Sequence, residues 1–375
     1  MFTYHFENEE KIPSPALIYY KDLIEENTKK TISIARTAER LWPHVKTHKM
    51  AELVQMQVSM GIVRFKCATV SEIRMVAENG GQHILWAYPL IGPNVEIFVK
   101  LAKEFSNCKL YALADDISTL SALSKAAEAT GITANLLLDV NMGMNRTGIS
   151  IEEIESFYTA AKEYGNISLC GLHCYDGHIH DNDFDERTTH ASSPAERVYT
   201  LRSTLLQKGY DLSIMIMGGT PTFPCHAKTD DVFLSPGTIF VSDSGYRRNF
   251  PDIDVIPAAA VMTRVISHPD TDLFTLDTGT KAVSADANPR GILFGLEEKC
   301  DPILSSEEHW VFRMRPEYMN ERPAIGDIFY VIPTHICPTT AMYDAAYVCE
   351  NGRLTDIWKV AARERIGQKT LEEIL

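Results

Sequence analysis

Eight short apolar, β-prone runs recur through the first two thirds of the chain, separated by helical patterns. This alternation restricts the fold more than any other feature. The runs are LWPHVK (41–46), RFKCAT (64–69), HILWAY (83–88), KLYALA (109–114), ANLLLDV (134–140), SLCGLHCY (168–175), SIMIMGG (213–219) and DVFLSPG (231–237). Strands apolar on both faces and alternating with helices belong in a parallel sheet covered on both sides. Eight such units predict a closed (β/α)8 barrel, with an open doubly wound sheet as the competing topology. The connecting segments carry helix-start signals: Ser71 with Glu72, Pro93, Asp116, Ser150 with Glu152 and Glu153, and Pro194. Ahead of the first run, ALIYY after Pro15 reads as a strand, and Lys21 to Arg40 as a long amphipathic helix.

Near residue 250 the helical periods stop. AAAVMTRVIS (258–267), LFTLDTG (273–279), HWVFRM (309–314), DIFYVIP (327–333), AAYVC (345–349) and LTDIWKV (354–360) read as strands. Asn351-Gly352 between the last two is a hairpin signal, because both central positions of a type I′ turn need positive φ. The chain therefore divides into a barrel over 14–250 and an antiparallel β domain over 251–375 with 1–13, and ALIYY is a candidate member of the β domain.

The formal charge of −14 on 375 residues disfavours nucleic acid and anionic membrane as partners, since phosphate surfaces demand a basic face. No apolar run is long enough to span a bilayer, and MFTYHFENEEKIP has no secretory pattern, so the expected location is cytoplasmic. The eight cysteines form no CxxC pair and read as buried thiols.

Active sites of barrels lie where the strands end. The first run ends on Lys46, flanked by His44 and His48. The fifth leads from Asp139 into NMGMNRTG, which delivers Arg146. The sixth ends on His173, Tyr175, Asp176, Gly177, His178 and His180. The last two end on Gly218-Gly219-Thr220 and Pro236-Gly237-Thr238. Small-residue loops with threonine hydroxyls after strands seven and eight suit a phosphate. A lysine on the same rim then suits pyridoxal 5'-phosphate, which needs a Schiff-base lysine and an anchored phosphate. By strand alternation, His44 and His48 share the side of Lys46 and orient lysine or cofactor. In Pro333-Thr334-His335-Ile336-Cys337-Pro338, residues two apart on an extended segment place imidazole and thiol together. That pair suits a divalent metal with open positions, Zn2+ first, Mn2+ or Mg2+ otherwise. DTGTKAVSADANPR (277–290) offers Lys281, Ser284, Asp286 and Arg290 as a further polar loop, able to meet a substrate carboxylate.

PHVKTHK, DVNMGMNRTG, GLHCYDGHIH, MGGT, PGTIFVSD, DTGTKAVSAD and PTHICPTT occur in the order and spacing of the D-threonine aldolase and D-serine dehydratase family, which the chain resembles over nearly its whole length. These are alanine racemase-like, fold type III pyridoxal phosphate enzymes: a cofactor-binding barrel followed by a β domain, usually in homodimers. The resemblance implies Lys46 as Schiff-base lysine and Arg146 at the cofactor ring. It puts Tyr175 beside the cofactor and Gly218, Gly219, Thr220, Gly237 and Thr238 on its phosphate. His335 and Cys337 would hold a metal that meets the substrate's β-hydroxyl. The chain departs from the pattern at Ile239, where many members have tyrosine. DGHIH replaces a glutamine–histidine pair, which leaves His178 and His180 both as candidate bases. H-x-C is the dehydratase form of the metal pair, and TTAMYDAAY also departs from the family pattern.

The expected activity is thus a metal-assisted lyase on small D-β-hydroxy amino acids, with D-serine or D-threonine dehydration ahead of retro-aldol cleavage by a D-threonine aldolase. An amino-acid racemase is the alternative on the same cofactor, using Tyr330, Tyr343 or Tyr347 as second acid. A non-catalytic pyridoxal phosphate-binding protein is the remaining one.

Overall fold

The computed structural model describes residues 3–365. The chain forms two compact units. The barrel unit comprises Thr31–Lys46 and Glu52–Gly237, and the β unit comprises the chain up to Lys30, Thr47–Ala51 and Thr238–Arg363. The units thus change hands directly after Lys46 and directly after Gly237.

The first strand, β1 (Ala16–Tyr20), belongs to the β unit and will be placed below. In the barrel unit seven parallel strands follow chain order: β2 (Arg64–Cys67), β3 (His83–Pro89), β4 (Lys109–Ala114), β5 (Ala134–Asp139), β6 (Ile167–Cys174), β7 (Ile214–Met217) and β8 (Phe233–Leu234). The run expected as first barrel strand is shorter than 41–46. Leu41 bridges Leu234 and His44 bridges Lys66, both in parallel. Trp42 N–H donates to Leu234 O at 2.8 Å, His44 N–H to Pro236 O at 3.0 Å, and Lys66 N–H to Pro43 O at 2.7 Å. Residues 41–44 thereby join the two edges of the seven-stranded sheet. Pro43 has no N–H to extend the ladder, and Val45–Thr47 turns into a 3-10 helix.

Trp42, Leu85, Tyr111, Leu113, Leu137, Cys170 and Ile216 form one buried cluster, drawn from the bridging segment and five strands. This is the layered filling that makes such a barrel a packed core rather than a pore. The Trp42 indole also donates to Phe65 O at 2.7 Å.

Capping chemistry explains the helix starts. Thr69 accepts from Glu72 N–H, Asp116 from Ser118 N–H, Asp183 from Asp185 and Glu186 N–H, and Ser150 with Glu153 forms a capping box. Pro194 is a different case: it lies inside the helix Phe184–Gln207, whose start is set by Asp183 instead. The early helix Lys21–Ala35 stops short of Arg40, where Arg36 takes φ 72°.

In the β unit, β1 pairs antiparallel with β9 (Ala259–Ser267) and parallel with β15 (Ala345–Glu350). The sheet continues through β10 (Leu273–Leu276), β13 (Trp310–Met314) and β12 (Cys300–Ser305) on one side and β16 (Arg353–Lys359) on the other. β14 (Ile328–Pro333) pairs with β9 and β11 (Gly291–Leu293). Asn351 and Gly352 both have positive φ in the β15–β16 turn. Among the described residues no helix is long and apolar enough to cross a membrane.

Candidate active site

Lys46 is exposed in the middle of the 3-10 turn that ends the bridging segment, and its N–H donates to His44 Nδ1 at 3.3 Å. The tight turn breaks the alternation that would have put His44 and His48 on one side. His48 is buried in the β unit instead, where its Nδ1 accepts from Met50 N–H at 3.1 Å. Burial pushes the His48 imidazole down to about 3, so it stays neutral.

The C-terminal ends of β2, β5 and β6 carry a buried polar chain. His173 Nδ1 donates to Asp139 Oδ1 at 2.7 Å, and Lys66 Nζ donates to His173 Nε2 at 2.9 Å. Burial lowers Lys66 to about 7, helped by the positive charges of Lys46 and Arg146 and opposed by Asp139 and Asp176. Burial, then Lys66, lowers His173. Burial pushes Asp139 up, but the hydrogen bond and charge of His173 outweigh it and hold the carboxyl below its ordinary range. Lys66 was not anticipated as a site residue. Inside RFKCAT it shares its strand face with Arg64, two residues earlier, and nothing local distinguished one cation from the other.

The Arg146 guanidinium carbon lies 4.9 Å from the centre of the Tyr175 ring, and Lys66 Nζ 5.4 Å from it. Tyr175 also explains two glycines. A Cβ on Gly177 would meet the Tyr175 hydroxyl at 2.0 Å, and one on Gly219 would meet Tyr175 Cε2 at 2.9 Å. The Gly218-Gly219-Thr220 loop is built on a buried support: Thr222 Oγ1 accepts from Gly219 N–H at 3.0 Å and donates to Asp176, whose other oxygen holds His226 Nε2 at 2.7 Å. The loops after β7 and β8 are joined, Gly237 N–H donating to Thr220 Oγ1 at 3.0 Å.

The two candidate bases differ in setting. His180 is exposed. His178 is half-buried, its Nδ1 has no hydrogen-bond partner, and it packs under the Arg146 loop, where a Cβ on Gly143 would lie 3.1 Å from His178 Nε2.

In the β unit, His335 and Cys337 do come together, but not by strand alternation. β14 stops at Pro333, and Ile336–Ala341 is a short helix with His335 at its N-cap. Pro338 is tolerated because first-turn N–H groups have no intrahelical partner. Asp243 accepts from Ile336 N–H at 3.1 Å in its place. His335 is raised to about 9, chiefly by its hydrogen bond with Cys337 and against burial, with Asp286 adding. His335 Nδ1 donates to Asp286 Oδ2 at 2.5 Å. A carboxylate on the remote nitrogen of a ligating histidine is the usual way to orient its other nitrogen toward a metal. Among the described residues no three or more His, Cys, Asp or Glu side chains gather into a metal cage. Cys337 Sγ lies 3.2 Å from Thr47 Oγ1 and 3.4 Å from Thr238 Oγ1. Thr238, expected on a phosphate, thus has its hydroxyl beside this thiol.

These residues fit pyridoxal phosphate. Lys46, Lys66 and Arg146 supply cationic groups, Tyr175 an aromatic face, and the glycines bare backbone. A phosphate entering the joined loops would displace one neutral hydrogen bond, worth about 0.5–1.5 kcal/mol, for charge-assisted bonds roughly twice as strong. The metal pair fits an ion that keeps open positions for other ligands.

Comparison with known proteins agrees with this geometry. Residues 21–244 match the family described as "Alanine racemase, N-terminal domain". The chain belongs to this family. Residues 258–349 match a second family, "Putative serine dehydratase domain". The chain is 27% identical to a D-threonine aldolase of an Arthrobacter sp over 329 residues, 86% of this chain and 85% of that one. The crystal structure of a D-threonine aldolase from Filomicrobium marinum superposes with a TM-score of 0.84 at 25% identity, covering 95% of this chain and 97% of that one. A D-threo-3-hydroxyaspartate dehydratase from Delftia sp. HT23 shares the fold, with a TM-score of 0.80 at 18% identity over 93% and 98% of the two chains. The alanine racemase-like architecture expected from the motifs is the one observed.

Proposed function

We propose that the chain is a pyridoxal phosphate- and divalent metal-dependent lyase that dehydrates small D-β-hydroxy amino acids, yielding a keto acid and ammonia. One observation carries the reading: Thr47, the residue after Lys46, has its hydroxyl 3.2 Å from the thiol of Cys337. Chain continuity thus ties the lysine expected to hold the cofactor to the thiol expected to hold the metal. Thr238 does the same for the loop after β8, since Gly237 precedes it and its hydroxyl also meets Cys337. The family match and the named aldolase and dehydratase relatives support a lyase of this class.

When bound, pyridoxal phosphate supplies an electron sink for charge developing at Cα, and the metal supplies a Lewis acid for the β-hydroxyl. Lys46 would hold the cofactor and take the Cα proton on Nζ. Arg146, Tyr175 and the glycine loops would position it. Lys66, half-protonated near neutrality and held by His173, would adjust the charge of the mouth without leaving the chain of hydrogen bonds. His335 Nε2 and Cys337 Sγ would hold the metal, with Asp286 fixing the imidazole.

A second reading, retro-aldol cleavage to glycine and an aldehyde, is favoured by His178. Its unpartnered Nδ1 beneath the Arg146 loop is a base for a β-hydroxyl proton, which aldol cleavage needs and dehydration does not. The racemase alternative draws less support: Tyr330 donates to Glu9 at 2.6 Å and Tyr343 to Ala282 O at 2.9 Å, so both phenols are engaged.

The test is product analysis. The full chain, loaded with pyridoxal phosphate and Zn2+ or Mn2+, is incubated with D-serine and D-threonine. Pyruvate or 2-oxobutyrate with ammonia is expected. Glycine with an aldehyde would select the second reading, and no turnover of either substrate would overturn both.

A further inference from the structure

Arg290 is the most anomalous side chain in the β unit. It is 6% exposed, yet none of its three guanidinium nitrogens has a hydrogen-bond partner. Its carbon sits 3.9 Å from the centre of the Trp310 ring. Burial alone pushes it down to about 10, with no neighbouring carboxylate opposing. The acids of the nearby β12–β13 turn are taken: Lys281 pairs with Glu307 at 2.8 Å and approaches Glu308 at 4.0 Å. A buried guanidinium without acceptors is costly, and its retention calls for a counter-charge.

Arg290 and Trp310 line a cavity of about 320 Å3 between the 280–290 loop and β12, near the lower end of the size range of ligand sites, with the guanidinium nitrogens just beneath its wall. The remaining wall is mostly apolar, with Pro289, Pro302, Ile303 and Leu304, while Thr280 and Ser305 add hydroxyls and Asn288 an amide. The backbone that aims the side chain is fixed: Arg290 O accepts from Thr334 N–H at 2.8 Å, and Gly291 pairs with Pro333. Stacked on an indole, a guanidinium leaves its edge free to donate two parallel bonds in the ring plane.

We propose that this cavity is a binding site for a small carboxylate, held bidentately by Arg290 over Trp310. The fork matches a carboxylate, and the apolar wall matches a short carbon body. A phosphate dianion would want more positive charge than one guanidinium supplies, since Thr280, Ser305 and Asn288 add only neutral donors. The site shares no residue with the sets proposed for cofactor and metal. The loop that carries it also carries Asp286, the partner of His335, so an occupied cavity would stiffen the segment that orients that imidazole.

The test titrates succinate, acetate and inorganic phosphate into the purified holoprotein, read by calorimetry and by melting temperature, with Arg290→Met and Arg290→Lys alongside. Saturable binding of a carboxylate is expected, together with a ligand-dependent rise in melting temperature. Arg290→Met should weaken binding at least about tenfold and lose that rise, while staying as stable as the wild type without ligand, since it removes an uncompensated charge. Arg290→Lys should recover part of the affinity. Displacement of succinate by D-serine would identify the carboxylate as the substrate's own, and its absence as that of a separate molecule; the site stands in both cases. The proposal is overturned by any of three results: no saturable carboxylate binding to the folded wild type, equal binding in Arg290→Met, or phosphate binding more tightly than either carboxylate. A shift of oligomeric state in Arg290→Met would also overturn it, because a second copy would then supply the counter-charge.

Discussion

Lys66→Met is the substitution whose effect can be worked furthest. Lys66 is 3% exposed and titrates near 7 in the fold, against 10.5 for an ordinary lysine. Between those values the unfolded chain holds a proton that the folded chain has lost, so stability rises with pH across that window. At and below pH 7 the burden of charging Lys66 in the fold is about 4–5 kcal/mol, and by pH ~9.5 it has fallen to about 1 kcal/mol. Wild type should therefore gain roughly 3 kcal/mol over that interval relative to the variant. Methionine fits a stem of similar length but leaves His173 Nε2 without its donor, a pH-independent loss of about 1–3 kcal/mol. The variant should match or exceed wild type at pH 7 and fall to or below it at pH ~9.5. The assay is urea unfolding of the cofactor-free forms at the two pH values, followed by tryptophan fluorescence. A stability difference that changes by less than about 1 kcal/mol between them would refute a burial-depressed Lys66, and with it the account of the barrel mouth as a cluster of competing cations.

Two further outcomes follow from single distances. Gly171→Ala puts a Cβ 1.8 Å from Ile214 O, where φ is +155° and the obstacle is the backbone of β7. It should cost more than about 4 kcal/mol, and a urea midpoint like that of wild type would show that β6 and β7 are not paired as described. Asp286→Ala removes the carboxylate that orients His335, so the affinity for Zn2+ measured by calorimetry should fall about 10–100-fold; an unchanged affinity would exclude that role.

Much of this molecule was open to reading from the chain alone. The seven strands β2–β8 fall on the apolar runs, with β3 and β6 each overrunning by one residue, because a strand buried on both faces must be apolar throughout and advertises itself. Asp116, Pro93 and the Ser150–Glu153 box mark helix starts, and Asn351-Gly352 marks a hairpin, because those signals act within four residues. The motifs also named the family. What the chain could not reveal is anything that depends on a partner distant in sequence. Lys46 lies in a 3-10 turn, not at the end of an extended strand, because Pro43 and the two flanking edges decide where the ladder stops. His48 is buried within the β unit because packing, not alternation, places it. Cys337 meets Thr47 and Thr238 across separations of 290 and 99 residues. Lys66 became a site residue only when β6 brought His173 to it, and Arg290 only when β13 laid Trp310 beneath it and left its guanidinium without an acceptor. Residue type and periodicity set which surfaces are apolar and which chemistry is available. Burial, which sets the charge state of Lys66 and the isolation of Arg290, and the hydrogen bond with Cys337 that raises His335 are properties of neighbours that only the folded chain supplies.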